Sequence, residues 1–285
     1  MTVHPPPLGI CRFSFVGRGD WTAWRRGRSP DRLEIARQLY DMARMERRFW
    51  TLENLLLPSL LGQTQEEWRL VLLTSDLMPQ AMQNRLRAAA SDPRVEIEVS
   101  SAEDVNGAIV PVIERLGLKD AVQFRVDDDD CLARGYVARL DDVSQALYRV
   151  GSFTFSIAHG LAAAGYPGQS PKGYRMTEPF LGLGAAALLP PHQRGGMSIY
   201  SWGHFALQRR WMSVLDNGVR GRGAPGWLLT RTMGHDSAVD AANPLGPPSA
   251  NEITWAEFER ALAAEFPFIR PDDLRRFLAS AGGEG

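Results

Sequence analysis

Four consecutive aspartates, Asp127-Asp128-Asp129-Asp130, are the residues of this chain best suited to do chemistry. Adjacent carboxylates repel one another, and each raises its neighbours' pKa when water is excluded. Two situations accommodate such a run: solvation on a surface loop, the usual state of a charge run, or a bound cation. Position favours the cation. The run directly follows the apolar segment Ala121–Val126, which reads as a strand, and open α/β sheets place ligands at the carboxyl ends of their strands. In an extended continuation side chains alternate, so Asp127 and Asp129 would point together, with Asp128 and Asp130 opposed. A carboxylate pair at that spacing suits Mg2+ or Mn2+ shared with substrate phosphates.

The elements that must position this run read as one enlarged α/β domain. Ile10–Val16 alternates as a first strand, stopped by Gly17-Arg18-Gly19-Asp20. Ser29-Pro30-Asp31 predicts a helix start, with Ser29 as N-cap, running to about Arg48. A second, apolar helix spans Phe49–Leu61 and stops at Gly62. Strands at Trp68–Thr74, Val95–Val99 and Ala121–Val126 then alternate with helices at Pro79–Ala90 and Val105–Leu116. This alternation predicts a Rossmann-type, mostly parallel sheet with helices on both faces. Beyond Gly151 the pattern changes to a mixed β part, with strands at Ser152–Ile157, Gly184–Leu189 and Trp227–Thr232. Two short amphipathic helices, Thr254–Phe266 and Pro271–Ala279, close the chain. Residues 1–150 and 151–285 are therefore expected as two halves of one domain, the acidic run lying near the end of the first.

Composition narrows the partners. The chain of 285 residues carries 32 Lys plus Arg against 33 Asp plus Glu, which offers no field for holding nucleic acid. The clusters Arg25-Arg26-Gly27-Arg28 and Arg209-Arg210 could meet phosphate or anionic lipid in a peripheral membrane contact, although solvated surface is their usual state. Cys11 and Cys131 form no CxxC pattern, no apolar stretch is long enough to span a bilayer, and the start of the chain lacks a signal-peptide core. A reducing, cytoplasmic setting is the natural expectation.

The segment Phe124-Arg125-Val126-Asp127-Asp128-Asp129-Asp130 resembles the DxD motif of glycosyltransferases with the GT-A fold. Further segments resemble a bacterial family named as rhamnosyltransferases. They are Phe49-Trp50-Thr51-Leu52-Glu53, Leu57-Pro58-Ser59-Leu60 with Gln63-Thr64, Leu70-Val71-Leu72-Leu73-Thr74-Ser75, and the late Arg231-Thr232-Met233-Gly234-His235-Asp236-Ser237. DxD alone is a weak signal, whereas its conjunction with these segments in this order is far more specific. No residue here reads the sugar, so "rhamnosyl" is only what the family name implies.

The resemblance implies a GT-A-like fold, a nucleoside diphosphate sugar as donor, a glycan or other hydroxyl as acceptor, and Mn2+ or Mg2+ as cofactor. Asp127 and Asp129 become the metal ligands, with Asp127 also on the nucleotide side, and His235 falls where a late histidine completes the metal site. A surface or core histidine is the alternative for His235. Loops after the second and third strands would hold nucleobase and ribose, which brings in Thr74, Asp76 and Asp104; capping the next helix explains Asp104 equally well. The region of the usual acidic base holds Ser201-Trp202-Gly203-His204 instead, so His204 is one candidate base and Asp236 and Glu178 are its rivals. Single displacement with inversion follows by family analogy.

Other patterns carry less. Gly182-Leu183-Gly184-Ala185-Ala186-Ala187 matches a dinucleotide fingerprint but lacks the preceding strand, so it reads as a close backbone approach near the acceptor pocket or as packing. Trp21, Trp24, Trp202 and Trp227 could stack on sugars, though each singly is more commonly a core residue. Two other classes stay open: a nucleotidyltransferase acting on sugar phosphates, and a non-catalytic module binding divalent cations or nucleotides.

Overall fold

The computed structural model describes residues 4–17, 31–166, 168–217, 223–232, 245 and 250–280. The first strand, β1 (Leu8–Arg12), precedes α1 (Arg32–Leu39) and α2 (Met42–Thr51). The helical path of α2 continues through a π turn at Leu52–Leu56 into α3 (Leu57–Leu61). Then come β2 (Arg69–Ser75), α4 (Gln80–Ala89), β3 (Val95–Ser100), α5 (Val105–Arg115), β4 (Gln123–Arg125), β5 (Asp130–Leu132) and α6 (Tyr136–Leu147). The remainder holds β6 (Phe153–Ile157), β7 (His159–Gly165), β8 (Lys172–Thr177), β9 (Ala186–Leu188), α7 (His204–Leu207) and β10 (Met212–Asp216). It ends with β11 (Trp227–Thr232), β12 (Ala250–Ile253), α8 (Trp255–Glu265) and α9 (Pro271–Ser280).

The main sheet has seven strands in the order β10-β6-β9-β4-β1-β2-β3, parallel except for β9, which runs against both neighbours. Its interior strand β2, next to the edge strand β3, is apolar on both sides because both sides are covered. Leu70 and Leu72 pack in one cluster with Phe49 of α2 and Leu86 of α4, while Val71 and Leu73 pack in another with Ile109 and Val112 of α5. A second, five-stranded sheet runs β12-β8-β7-β11-β5. The α/β class expected from the sequence is present, as two sheets with packed helices. Both sheets draw on both halves of the chain: β6, β9 and β10 extend the first, and β5 enters the second. Among the described residues no helix is long and apolar enough to cross a membrane.

Several expected boundaries move, for local reasons. The first strand stops at Arg12 because Ser14 takes a left-handed φ of 53°, which bends the backbone out of the sheet. The single helix expected up to Arg48 is two helices, each with its own aspartate cap; Asp31 accepts from Leu33 N at 3.1 Å and Asp41 from Arg44 N at 3.0 Å. Ser29 and Pro30, expected to open it, lie outside the described residues. Helix α6 and strands β7, β8, β10 and β12 carry weak local signals and were not anticipated. Strand β7 shows why: His159-Gly-Leu-Ala-Ala-Ala-Gly165 has little β-propensity, and its small residues answer to neighbours. A Cβ on Gly160 would stand 2.1 Å from the Trp227 ring, and one on Gly165 would stand 2.2 Å from the Leu278 carbonyl oxygen of α9.

The C-terminal helices close the second sheet. Thr254 and Glu257 form a capping box at the start of α8, and Phe258, Leu262, Leu274 and Leu278 pack with Leu161 of β7 and Leu228 of β11. Phe277 stacks flat on Trp50 at 3.9 Å between centroids, which ties α9 to α2. Gly165→Ala is expected to push α9 off β7 and lower stability by about 1–3 kcal/mol, as overpacking does. Urea denaturation checks this, and an unchanged midpoint would refute the contact.

Candidate active site

Strand β4 delivers the acidic run to the carboxyl edge of the main sheet, but not in extended form. The N–H of Asp130 donates to the carbonyl of Asp127 at 3.3 Å, so the four aspartates form a tight turn between β4 and β5. The two-residue alternation argued from an extended chain therefore does not apply. The solvated-loop alternative fails as well: Asp128, Asp129 and Asp130 are 0%, 5% and 2% exposed. Gln63, at the end of α3, braces the segment after the turn. Its side chain donates to the Ala133 carbonyl at 2.9 Å and accepts from Val137 N at 2.9 Å.

Each aspartate meets a different partner. The half-exposed Asp127 side chain lies 3.6 Å from Arg12. Arg48 of α2 pairs with Asp128 and, at 3.3 Å, with Asp129. Thr230 of β11 donates to the Asp129 carbonyl at 2.6 Å and so pins the turn to the second sheet. Burial holds Asp128 and Asp130 well above the usual carboxylate range, and the neighbouring aspartates add to it; Arg48 opposes the rise at Asp128 and Arg231 at Asp130. Among the described residues nothing donates a hydrogen bond to the buried atoms Asp128 Oδ2 and Asp130 Oδ1. Crowded carboxylate oxygens without donors are the chemistry that a hard divalent cation relieves, but these belong to Asp128 and Asp130, while Asp127 and Asp129 face Arg12 and Arg48. Among the described residues no cluster of three or more His, Cys, Asp and Glu side chains could hold a metal ion. His235 and Asp236 lie outside the described residues.

His204 opens α7 on the same side of the molecule. Its Nδ1 lies 2.7 Å from the Phe180 carbonyl oxygen, which can only accept, so Nδ1 carries the hydrogen and Nε2 is left as an acceptor. Phe180 holds a left-handed φ of 58°, and its own N–H donates to Ser156 Oγ at 2.9 Å. Burial lowers the imidazole pKa below its ordinary value, with Arg125 and Arg12 adding to the effect and the Phe180 bond and Asp127 opposing it. These two arginines lie over the ring of Tyr200, at 4.2 Å for Arg125 and 4.9 Å for Arg12. Tyr200 donates to the Ile10 carbonyl at 3.1 Å, and burial pushes its phenol up to about 12. Asp127, Arg12, Arg125, Tyr200 and His204 thus share one electrostatic neighbourhood.

Arg12, Arg125 and Tyr200 escaped the sequence reading. Arg125 stood next to the end of a predicted strand, whereas the strand expected at Ile10–Val16 placed Arg12 in its interior and only the observed β1 ends there; nothing local marks Tyr200. The remaining candidates lie further along the edge. Thr74 is buried, its hydroxyl 3.6 Å from Met78 Sδ, and Asp76 pairs with Arg32 at 2.9 Å. Asp104 caps α5, accepting from Gly107 N at 2.9 Å, the second of the two roles open to it. The backbone N–H of Glu178 donates to Ala158 O just after β8. The glycine pattern at 182–187 leads into β9; a Cβ on Gly184 would meet the Tyr136 ring at 2.6 Å, so this glycine serves packing. Trp227 is core, Trp202 packs edge-on against Trp211, and Trp21 and Trp24 lie outside the described residues.

A sequence model of the family described as "Putative rhamnosyl transferase" matches residues 7–238. No curated protein matches the chain in sequence. Among solved structures, S. aureus TarS 1–349 in complex with UDP-GlcNAc is 10% identical, with 97% of this chain and 71% of that chain covered and a TM-score of 0.41. A second structure of TarS 1–349 is 14% identical at a TM-score of 0.29, covering 53% of this chain and 35% of that one. In that match the chain spans about a third of the TarS length. A cytidylyltransferase from Leptospira borgpetersenii serovar Hardjo-bovis is 13% identical, with 79% and 80% covered and a TM-score of 0.36.

Proposed function

The chain belongs to the rhamnosyl transferase family whose model spans residues 7–238, and on that premise we propose that it moves a sugar from a nucleoside diphosphate donor to an acceptor hydroxyl. The family name points to rhamnose as the sugar. The observation that carries the reading is the convergence of the acidic turn and the His204 segment at one sheet edge: Arg12, 3.6 Å from Asp127, and Arg125, which donates to the Trp202 carbonyl at 3.2 Å, both lie over the Tyr200 ring.

In this reading His204 is the base. Its Nδ1 hydrogen is committed to the Phe180 carbonyl, so Nε2 receives the acceptor proton as the new bond forms. Burial and the positive charges of Arg12 and Arg125 keep the ring neutral, the state in which a base is competent. Asp127 and Asp129 would hold Mn2+ or Mg2+, with His235 as a further ligand. Such an ion, when bound, neutralises a departing diphosphate as a Lewis acid. Single displacement with inversion follows by family analogy.

The test is a panel of nucleoside diphosphate sugars, scored for release of nucleoside diphosphate with and without Mn2+. Mn2+ together with nucleoside diphosphate should raise the melting temperature. By mass action the gain is about 2.7 kcal/mol when ligand stands at 100 times its dissociation constant. Asp127→Asn should remove the Mn2+-dependent part of that gain. No stabilisation and no release across the panel would sink the proposal. Release of pyrophosphate from a nucleoside triphosphate and a sugar phosphate would establish nucleotidyl transfer in its place.

A further inference from the structure

We propose that the cavity between α2 and β11, on the Asp129 side of the acidic turn, is a phosphate-binding pocket with Arg47 as its principal anchor. Arg44, Arg47 and Arg48 line it from α2, with Asp129, Thr232 and Phe277 opposite. Residues at i, i+3 and i+4 share one helix face, where like charges destabilise the helix unless something of opposite sign lies between them. The lining supplies three guanidiniums against one carboxylate. That carboxylate is already answered, since Arg48 pairs with both Asp128 and Asp129. Arg47 is half-buried like its two neighbours, but unlike them it makes no ion pair or hydrogen bond among the described residues.

The walls suit a tetrahedral anion seated across the open mouth, since the enclosed space of about 20 Å³ admits only about one water. Guanidinium groups match phosphate oxygens bidentately, and threonine hydroxyls can add neutral donors. Phe277 supplies an apolar wall, fixed by its stack on Trp50, and apolar walls strengthen charge interactions by excluding water. The pocket abuts the turn through Asp129, so a phosphate held there lies beside the proposed transfer site. The phosphate comes either from the donor's diphosphate or from a phosphate-bearing acceptor. This source, though not the pocket itself, rests on the function proposed above.

Isothermal titration of the whole protein with pyrophosphate, a nucleoside diphosphate and glycerol phosphate decides the matter, using wild type, Arg47→Ala and Arg47→Lys. Arg47→Ala, on a partly exposed helix face, is expected to weaken the phosphate ligand by about tenfold or more, the effect of one lost charge-assisted contact. Arg47→Lys should recover part of the loss, and affinity should fall with added salt. A loss confined to pyrophosphate and the nucleoside diphosphate assigns the pocket to the donor, and a loss confined to glycerol phosphate assigns it to the acceptor. Unchanged affinities in Arg47→Ala, or no binding of any of the three to wild type, would overturn the pocket. Wild type that binds glycerol phosphate through Arg47 yet ignores nucleoside diphosphates, with or without Mn2+, would keep the pocket and defeat the transfer reading.

Discussion

His204→Gln is expected to lower kcat for sugar transfer by about 10²–10⁴-fold, the range for loss of a general base, and to leave the donor KM within about twofold. The amide keeps a donor for the Phe180 carbonyl but cannot take up the acceptor proton. In the parent protein the rate should fall on the acid side as His204 protonates. Burial places that fall below the ordinary imidazole value of 6.5. The same shift acts on stability. Between the lowered folded pKa and 6.5 the unfolded chain binds the proton and the folded one does not, so stability drops as pH falls through that window. His204→Gln should flatten both dependences. A variant that keeps kcat within a few-fold, or keeps the acid limb of the rate, would exclude His204 as the base.

Arg48→Ala should carry the largest stability cost. It strips the counter-charge from Asp128, which is fully buried, and from Asp129 beside it. Removing one partner of a buried ion pair costs about 3–5 kcal/mol. The pH dependence has a definite sign. Burial raises the folded pKa of Asp128 above its unfolded value, so its protonation stabilises the fold at low pH, and that contribution is lost as pH rises through the raised pKa. Without Arg48 the raised value goes higher still. The deficit should therefore be smallest near about pH 4, close to the unperturbed aspartate value, and largest at neutral pH. Urea unfolding across that range measures it. Adding Asp128→Asn to Arg48→Ala should return part of the loss, as a coupled pair requires. A deficit under about 1 kcal/mol with no pH dependence would show that the pair is not what holds the turn.

How much of this was legible depends on how local each cause is. The strand β11 was read at Trp227–Thr232, where it lies, because six residues of apolar and β-branched character between turn residues leave little choice. The alternation of strands and helices up to β4 was equally plain, since periodicity is a property of neighbours in the chain. Strand β7 was invisible, because its glycines and alanines are small in answer to Trp227 and Leu278, which are remote in sequence.

The candidate site divides the same way. The sequence by itself determined that four carboxylates follow an apolar strand, and its family resemblance that His204 stands where an acidic base is usual. Only the tertiary structure decided that the run is a turn with three members buried, because solvation depends on Arg48, Thr230 and Gln63 arriving from other elements. It also decided the histidine's tautomer, since the carbonyl that selects it belongs to Phe180, on a different segment. Charge and residue type are written along the chain, whereas protonation state, pairing and burial are fixed by what folding brings within a few ångströms.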